Sequence, residues 1–397
     1  MPSPVSDPDR ARILPNSRPL TEAAPRTPGG AAYWDPSLFR VELERLFYRN
    51  WLCVSREEEL ARPGDFVTRR VGPESILLTR APDATLHGFY NVCRHRGTRV
   101  VSEPDGQGRH SFVCPYHSWT YDLNGRLIAA RHMEGQPDFD RTDLGLLPVR
   151  VDSWGGFVWA KLDPEGPSLH EGLGSFFDRF ARFSFADLRR GARQEYTVAA
   201  NWKVLVENFS ECYHCAPVHP NLNRLTPYLS GDNDASFHPR DGRSLFAGGY
   251  MEFSKDYQSM TRSGYTNRAS LPGSTVEDRR RVYYYVVFPN LFFSLHPDYL
   301  MVHRCWPTAP ALSRVENEFY FPRAAVEAPG FDPSDAVDLW DEINRQDWAM
   351  CERAQEGTGS RVWTGGRYSG RESMVRDFDE FVAEELARGT GSHGTAP

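Results

Sequence analysis

Two short pairs hold the densest chemistry in the first half of the chain: Cys93-Arg94-His95 and Cys114-Pro115-Tyr116-His117, separated by eighteen residues. Each pair supplies one thiolate and one imidazole. Soft thiolates and neutral imidazoles suit either tetrahedral zinc or an iron–sulfur cluster. A zinc finger would pair Cys with Cys on one arm and His with His on the other. Here each arm holds one of each, as two loops clasping a two-iron cluster require, one iron taking both Cys and the other both His.

A second constellation stands at residues 201–219, NWKVLVENFSECYHCAPVH. Glu207, Glu211 and His214 recur at i, i+4 and i+7, so a helix would carry all three on one face, suited to binding or orienting a metal. His219 is five residues past His214, which turns it about 140° from that face. Pro217 disfavours helix at Ala216 and should break it just after His214, letting His219 swing back. Two His plus one carboxylate form the facial triad of non-haem Fe(II) oxygenases, which leaves positions open. Cys212 and Cys215 make a C-x-x-C, but a redox motif of that kind opens a helix, and a c-type haem motif needs His where Ala216 stands. They are read as packing or site-supporting residues, with zinc on Cys212, His214, Cys215 and His219 as the alternative.

The elements that must position these groups follow from the wider pattern. The 397 residues, 40% of them hydrophobic, suit two domains better than one. Acids outnumber bases by 53 to 46, and no stretch concentrates Lys and Arg, so nucleic acid is an unfavoured partner. No apolar leader and no run of eighteen apolar residues is present, so a cytoplasmic protein without membrane association is expected. Seven cysteines without a secretion signal point to ligand, catalytic or packing roles rather than a disulfide framework.

Residues 1–30, rich in Pro, Ser and Arg, are expected to form an arm. Asp35 before Pro36 marks a helix start, with apolar residues at helical spacing as far as Trp51. Between about 63 and 163, short strand-like runs (DFVTRRV, SILLTR, HGFYNV, SFVCP, SWTYDL, GGFVWAKL) are separated by Pro-Gly, Gly-Pro, Pro-Asp and Asn-Gly turns, which predicts an all-β module. Beyond DPEGPSLHEG, amphipathic helices alternate with runs such as RVYYYVVF, NLFFSLHP and NEFYFP, which predicts an α+β second domain. The expected division is an arm and helix at 1–50, a β domain at 51–163 and a catalytic domain at 164–397.

The sequences CRHRG and CPYHSWTYDLNGRL resemble the signature of Rieske non-haem iron oxygenase α subunits, with Ser118 where the family usually has Gly. The resemblance runs from about Tyr33 to Phe381. It implies an all-β Rieske domain with a [2Fe-2S] cluster on Cys93, His95, Cys114 and His117. It also implies a helix-grip catalytic domain, an antiparallel sheet covered by helices, with mononuclear Fe(II) on His214 and His219. Family members carry a late helix with an Asp ligand followed by a Glu and a Gln, which Asp347, Glu352 and Gln355 match; Asp341 and Asp338 are the fallbacks. Glu211 occupies the position of the carboxylate that bridges the two metals' His ligands between neighbouring subunits of a ring of three.

Glu at that position, ENFSECYHCAPVHP and GRYSGRES resemble most closely the choline, carnitine and glycine-betaine monooxygenase branch. The implied reaction is hydroxylation or oxidative N-demethylation of a small methylated amine, using O2 and electrons passed from NAD(P)H by a separate reductase. The alternative is hydroxylation or O-demethylation of an aromatic or natural-product substrate. A quaternary ammonium would be received by aromatic faces, for which Tyr213, Tyr284, Tyr285, Phe288, Phe292, Phe293 and Trp306 are available. Glu207 and Glu211 are the candidate catalytic carboxylates.

Overall fold

The computed structural model describes residues 25–238, 242–254 and 256–388. The arm expected over residues 1–30 falls, as far as residue 24, outside them. Helix α1 (Pro36–Glu42) opens as expected: Pro36 sits at its first position and the Asp35 carboxylate accepts from Ser37 N at 2.7 Å. It does not run on to Trp51. Leu43–Phe47 widens into a π-helical turn, with Tyr48 N donating to Leu43 O at 2.9 Å, and Trp51 lies outside the helix.

A seven-stranded antiparallel sheet follows. Its spatial order is Leu52–Arg56, Phe157–Lys161, Pro148–Trp154, Leu86–Tyr90, Glu74–Arg80, Phe66–Val71 and Asp105–Gly106. Leu52–Arg56 pairs with Phe157–Lys161, so the module closes through residues a hundred apart in sequence. A separate three-stranded sheet, Ser111–Val113, Thr120–Asp122 and Leu127–Ala129, carries the second Cys-His pair at its edge. The Asn-Gly turn appears there: Asp122 accepts from Asn124 N and Arg126 N, and Gly125 takes φ 78°, which glycine adopts without a Cβ penalty.

The second seven-stranded antiparallel sheet runs in the order Leu188–Val198, Leu312–Pro322, Leu300–Ala309, Leu291–Leu295, Arg281–Val287, Phe246–Glu252 and Asp232–Ala235. Successive side chains on a strand point to opposite faces, and this sheet is covered on both. Phe293 packs against Phe176 and Phe180 of α2 (Leu169–Phe180), with ring centroids 5.2 and 4.9 Å apart. Its neighbour Phe292 turns the other way and stacks on Phe209 of α3 (Trp202–Phe209) at 4.4 Å. The long helix α5 (Ser334–Thr358) lies on this second face, bringing Trp348 to His303. Helix α6 (Ser373–Arg388) packs Phe378 against Trp202. The fold class is α+β, as expected. Among the described residues no helix is long and apolar enough to cross a membrane.

The two sheets are joined by buried polar contacts. Asn290 grips the backbone of Cys53, donating to its carbonyl and accepting from its N–H, both at 3.0 Å. Glu59 of the first module pairs with Arg69 and with Arg190 of the second sheet, at 3.5 and 3.2 Å. Arg190 and Arg304 then share Glu318, at 2.9 and 2.6 Å, and Arg304 also meets Glu316 at 3.2 Å. Arg304, Glu316 and Glu318 are all but inaccessible to solvent. Ions so placed are tolerated because each meets an opposite charge.

Candidate functional site

The first Cys-His pair sits on a loop that its own backbone folds back on itself. Cys93 N donates to Thr98 O at 2.8 Å, and Gly97 N returns to Cys93 O at 3.0 Å. Asn91 braces the base of the loop by accepting from Val100 N and Val101 N. The second pair turns the same way, with Ser118 N donating to Cys114 O at 3.0 Å. Ser118 takes φ 59°, in the left-handed region. That is why glycine is usual there: an L side chain in this region costs on the order of 1–2 kcal/mol.

The two loops place their sulfurs inward and their imidazoles outward. Cys93 and Cys114 are buried, whereas His95 is exposed and His117 half-buried, with ring centroids 4.6 Å apart. Trp119 stacks on His95 at 4.8 Å, and Tyr121 Oη lies 3.3 Å from Cys93 Sγ. Burial, with Cys93 beside it, holds the Cys114 thiol above its ordinary pKa. Two buried sulfurs and two outward imidazoles fit a two-iron cluster.

In the second constellation the structure corrects the helical-face reading. Helix α3 ends at Phe209 and is capped by Ser210, so Glu211 and His214 are not on it. The chain turns through Glu211–His214 before a short helix α4 (Cys215–Val218), which Pro217 does not interrupt because it lies in the first turn. The two histidines flank this one-turn helix, His214 at its start and His219 at its end, and that brings them together. His214 Nε2 and His219 Nε2 lie 3.1 and 2.8 Å from the same oxygen, Asp347 Oδ1 on α5. One ligand atom from each residue falls within 4.8 Å of the others.

The outer nitrogen of each ring is held as well. His214 Nδ1 meets Glu211 Oε1 at 2.6 Å, and His219 Nδ1 meets Gln346 Oε1 at 2.7 Å. The other Glu211 oxygen accepts from the backbone N–H groups of Tyr213 and His214. Partners of this kind fix ring orientation and leave both Nε2 atoms for a metal. Burial alone would depress His214, yet hydrogen bonds to Asp347 and Glu211 lift it to about 10. The same contacts hold Asp347 below its ordinary value against burial. A site that makes its own imidazole cationic calls for positive charge, and two His with one carboxylate fit ferrous iron. Gln346 escaped the sequence reading; its only signal is adjacency to Asp347.

Glu352 and Gln355 set α5 in register with α3. Glu352 accepts from Ala199 N and Gln355 from Asn201 N, each at 2.9 Å, just before α3 begins. The fallback ligands lie elsewhere: Asp341 accepts from Tyr196 and Arg345, and Asp338 faces Arg262. Glu207 is not brought to the triad. It accepts from Tyr33 Oη at 2.8 Å, and burial, reinforced by Asp379, pushes its pKa up. Cys212 and Cys215 are joined as a disulfide with Cα atoms 4.9 Å apart, so neither is a free packing thiol and zinc on that pair is overturned. The turn after Ser210 brings the two together.

The triad opens on a cavity of about 310 Å³. Phe209, Tyr284 and Trp340 give it aromatic walls, and His303 and Asn344 contribute polar atoms beside Asp347. Of the aromatics singled out in the sequence, Tyr213 and Tyr284 line it, whereas Tyr285 and Phe293 face α2 instead.

Two family descriptions match: "Rieske [2Fe-2S] domain" over residues 50–140 and "Ring hydroxylating alpha subunit (catalytic domain)" over residues 185–388. The glycine betaine monooxygenase oxygenase subunit of Chromohalobacter salexigens is 30% identical over 381 residues, covering 89% of this chain and 84% of the relative. The choline monooxygenase of Arabidopsis thaliana is 27% identical, covering 91% and 82%. A solved quaternary ammonium Rieske monooxygenase in complex with L-carnitine superposes with a TM-score of 0.72 at 26% identity, over 92% of this chain and 95% of the other.

Proposed function

Because this chain belongs to the Rieske ring-hydroxylating oxygenase α subunits, we propose that it hydroxylates or oxidatively N-demethylates a small methylated amine of the betaine kind. As a member of that family it is an oxygenase component that carries a Rieske [2Fe-2S] cluster and a mononuclear iron and works with a reductase. We assign the cluster to Cys93, His95, Cys114 and His117, and the iron to His214, His219 and Asp347. The boundaries 51–163 and 164–397 are our division of the two domains, and the cytoplasm is our assigned compartment.

The observation that carries the reading is the aromatic cavity opening on the triad. A quaternary ammonium has no N–H to donate, so its receptor is a set of ring faces, here Phe209, Tyr284 and Trp340. Iron, when bound, supplies the O2 chemistry, which consumes two electrons and two protons and places one oxygen in substrate and one in water. Glu211 and Gln346 keep the two rings aimed. The walls hold the methyl group at the metal and keep bulk water out. A hydroxylated N-methyl group then loses formaldehyde and a proton, leaving the tertiary amine.

We further propose a ring of three copies, in which Glu211 of one meets the His95–His117 edge of the next. The exposure of His95 and Tyr116 supports that contact. Inter-subunit electron transfer is described for a structural relative, a quaternary ammonium Rieske monooxygenase. The test supplies the purified protein with a reductase, NADH and O2 and offers betaines, choline, carnitine and aromatic acids. Formaldehyde or a hydroxylated amine is expected; product from aromatic acids alone overturns the assignment.

A further inference from the structure

We infer that Arg371 binds the carboxylate of a zwitterionic methylated amine and so selects such substrates over amino alcohols that lack the negative end. The inference rests on the reading above and narrows it to one substrate class. Among the residues lining the cavity, Arg371 is the one Arg or Lys. Its backbone is tied down, since Arg371 N donates to Ser369 Oγ at 3.2 Å, while Ser369 N is held by Glu372. Its guanidinium, in contrast, meets no carboxylate of the described residues within ion-pair distance. Other arginines of the same domain are committed: Arg268, Arg281 and Arg345 each hold an acid. An exposed arginine at the cavity wall, with a fixed root and a head free of such a partner, is placed to take an anion from outside.

The pocket's own acids do not compete for that head. Glu211 and Asp347 are committed to His214 and His219. Asp232 lines the cavity from the edge strand of the second sheet, where it accepts from Asn233 N. The cavity lining therefore combines aromatic rings and acids with one cationic residue, on the segment leading into α6. That polarity matches a molecule with a quaternary ammonium at one end and a carboxylate at the other. A guanidinium recognises a carboxylate through two parallel N–H···O bonds, which an alcohol oxygen cannot accept in the same way.

The test compares kcat/KM for carboxylate-bearing amines (glycine betaine, γ-butyrobetaine, L-carnitine) with that for choline, in the wild-type holoenzyme and in R371Q, R371K and R371E. The wild type is expected to prefer a carboxylate-bearing amine. R371Q should shrink that preference about 10- to 100-fold, chiefly through KM, the loss expected for one charge-assisted contact. R371K should restore part of it, and R371E should reverse the order. Iron content, the visible spectrum of the cluster and the unfolding midpoint are read alongside. A uniform loss across all substrates, or one that tracks lost iron, would mean a structural role and overturn the inference. An unchanged ratio in R371Q would do the same, and so would a wild type that prefers choline. If the wild type oxidises no methylated amine at all, the proposed function fails first.

Discussion

Glu211 Oε1 lies 2.6 Å from His214 Nδ1, on the edge of the ring opposite the one that faces Asp347. The carboxylate thus decides which nitrogen of His214 is free for metal. Removing such a partner costs about 10- to 100-fold in metal affinity or activity. Glu211→Ala should therefore weaken iron binding by about that factor, measured by equilibrium dialysis against a chelator. Glu211→Gln keeps a hydrogen-bonding side chain but loses the charge. It should retain both metals yet slow reduction of the mononuclear iron in rapid-mixing experiments; a normal rate would remove Glu211 from the electron path.

Asp347 is the single oxygen donor between two imidazoles. Asp347→Ala should abolish mononuclear iron and turnover while leaving the visible spectrum of the cluster intact, because the cluster loops lie in the other sheet's domain. Iron analysis and the spectrum of one sample decide it. An iron content equal to wild type would place the ligand elsewhere.

Arg304 neutralises Glu316 and Glu318 where water cannot reach. Breaking a buried pair from one side leaves uncompensated charge and costs about 3–5 kcal/mol. Arg304→Met should lower stability in urea by about that amount. The double replacement of Arg304 and Glu318 by apolar residues should lose less than the two single losses added, since it removes the orphaned ion.

Acid should undo part of the same network. Burial opposes ionising Glu59, but Arg69, Arg304 and Arg190 outweigh it and pull its pKa down to about 2. Glu316, opposed by burial in the same way, is brought to about 2 by Arg304 and Arg69. A carboxyl whose folded pKa lies below its unfolded value adds stability that is complete above the unfolded value and is lost as pH falls through the folded one. The unfolding midpoint should therefore fall between about pH 4.3 and about pH 2. Glu59→Gln should be less stable at neutral pH and less sensitive across that window; equal slopes for both proteins would contradict the network's role.

The parts of the site that lie close in sequence were legible there. Cys93 with His95 and Cys114 with His117 each belong to one loop, and His214 and His219 flank one short helix, so residue type and spacing carry the information. Asp347 is far from His219 along the chain, and only resemblance to other oxygenases pointed to it. The helix over 207–214 was misjudged because i, i+4, i+7 spacing also fits a turn that follows a helix end. Ser210 ends the helix, and no residue there marks the stop as a Gly or Pro would. Glu207 consequently turned toward Tyr33 and Asp379, a direction that depends on α6 packing from the far end of the chain. Closure of the first sheet by Leu52–Arg56 on Phe157–Lys161 was equally beyond local pattern.

The clamp of Asn290 on Cys53 and the arginine–glutamate chain from Glu59 to Glu318 bear on how an electron travels. Sliding one sheet past the other would strand several ions in a dry interior. The Cys-His loops and the His-His-Asp triad of one chain are therefore fastened to one frame, so in the ring proposed above each copy docks on the next as a rigid unit. On that proposal an electron would cross the gap between two such units, at a rate set by distance and driving force. The place to tune it is the thin layer of side chains at the gap, not a hinge.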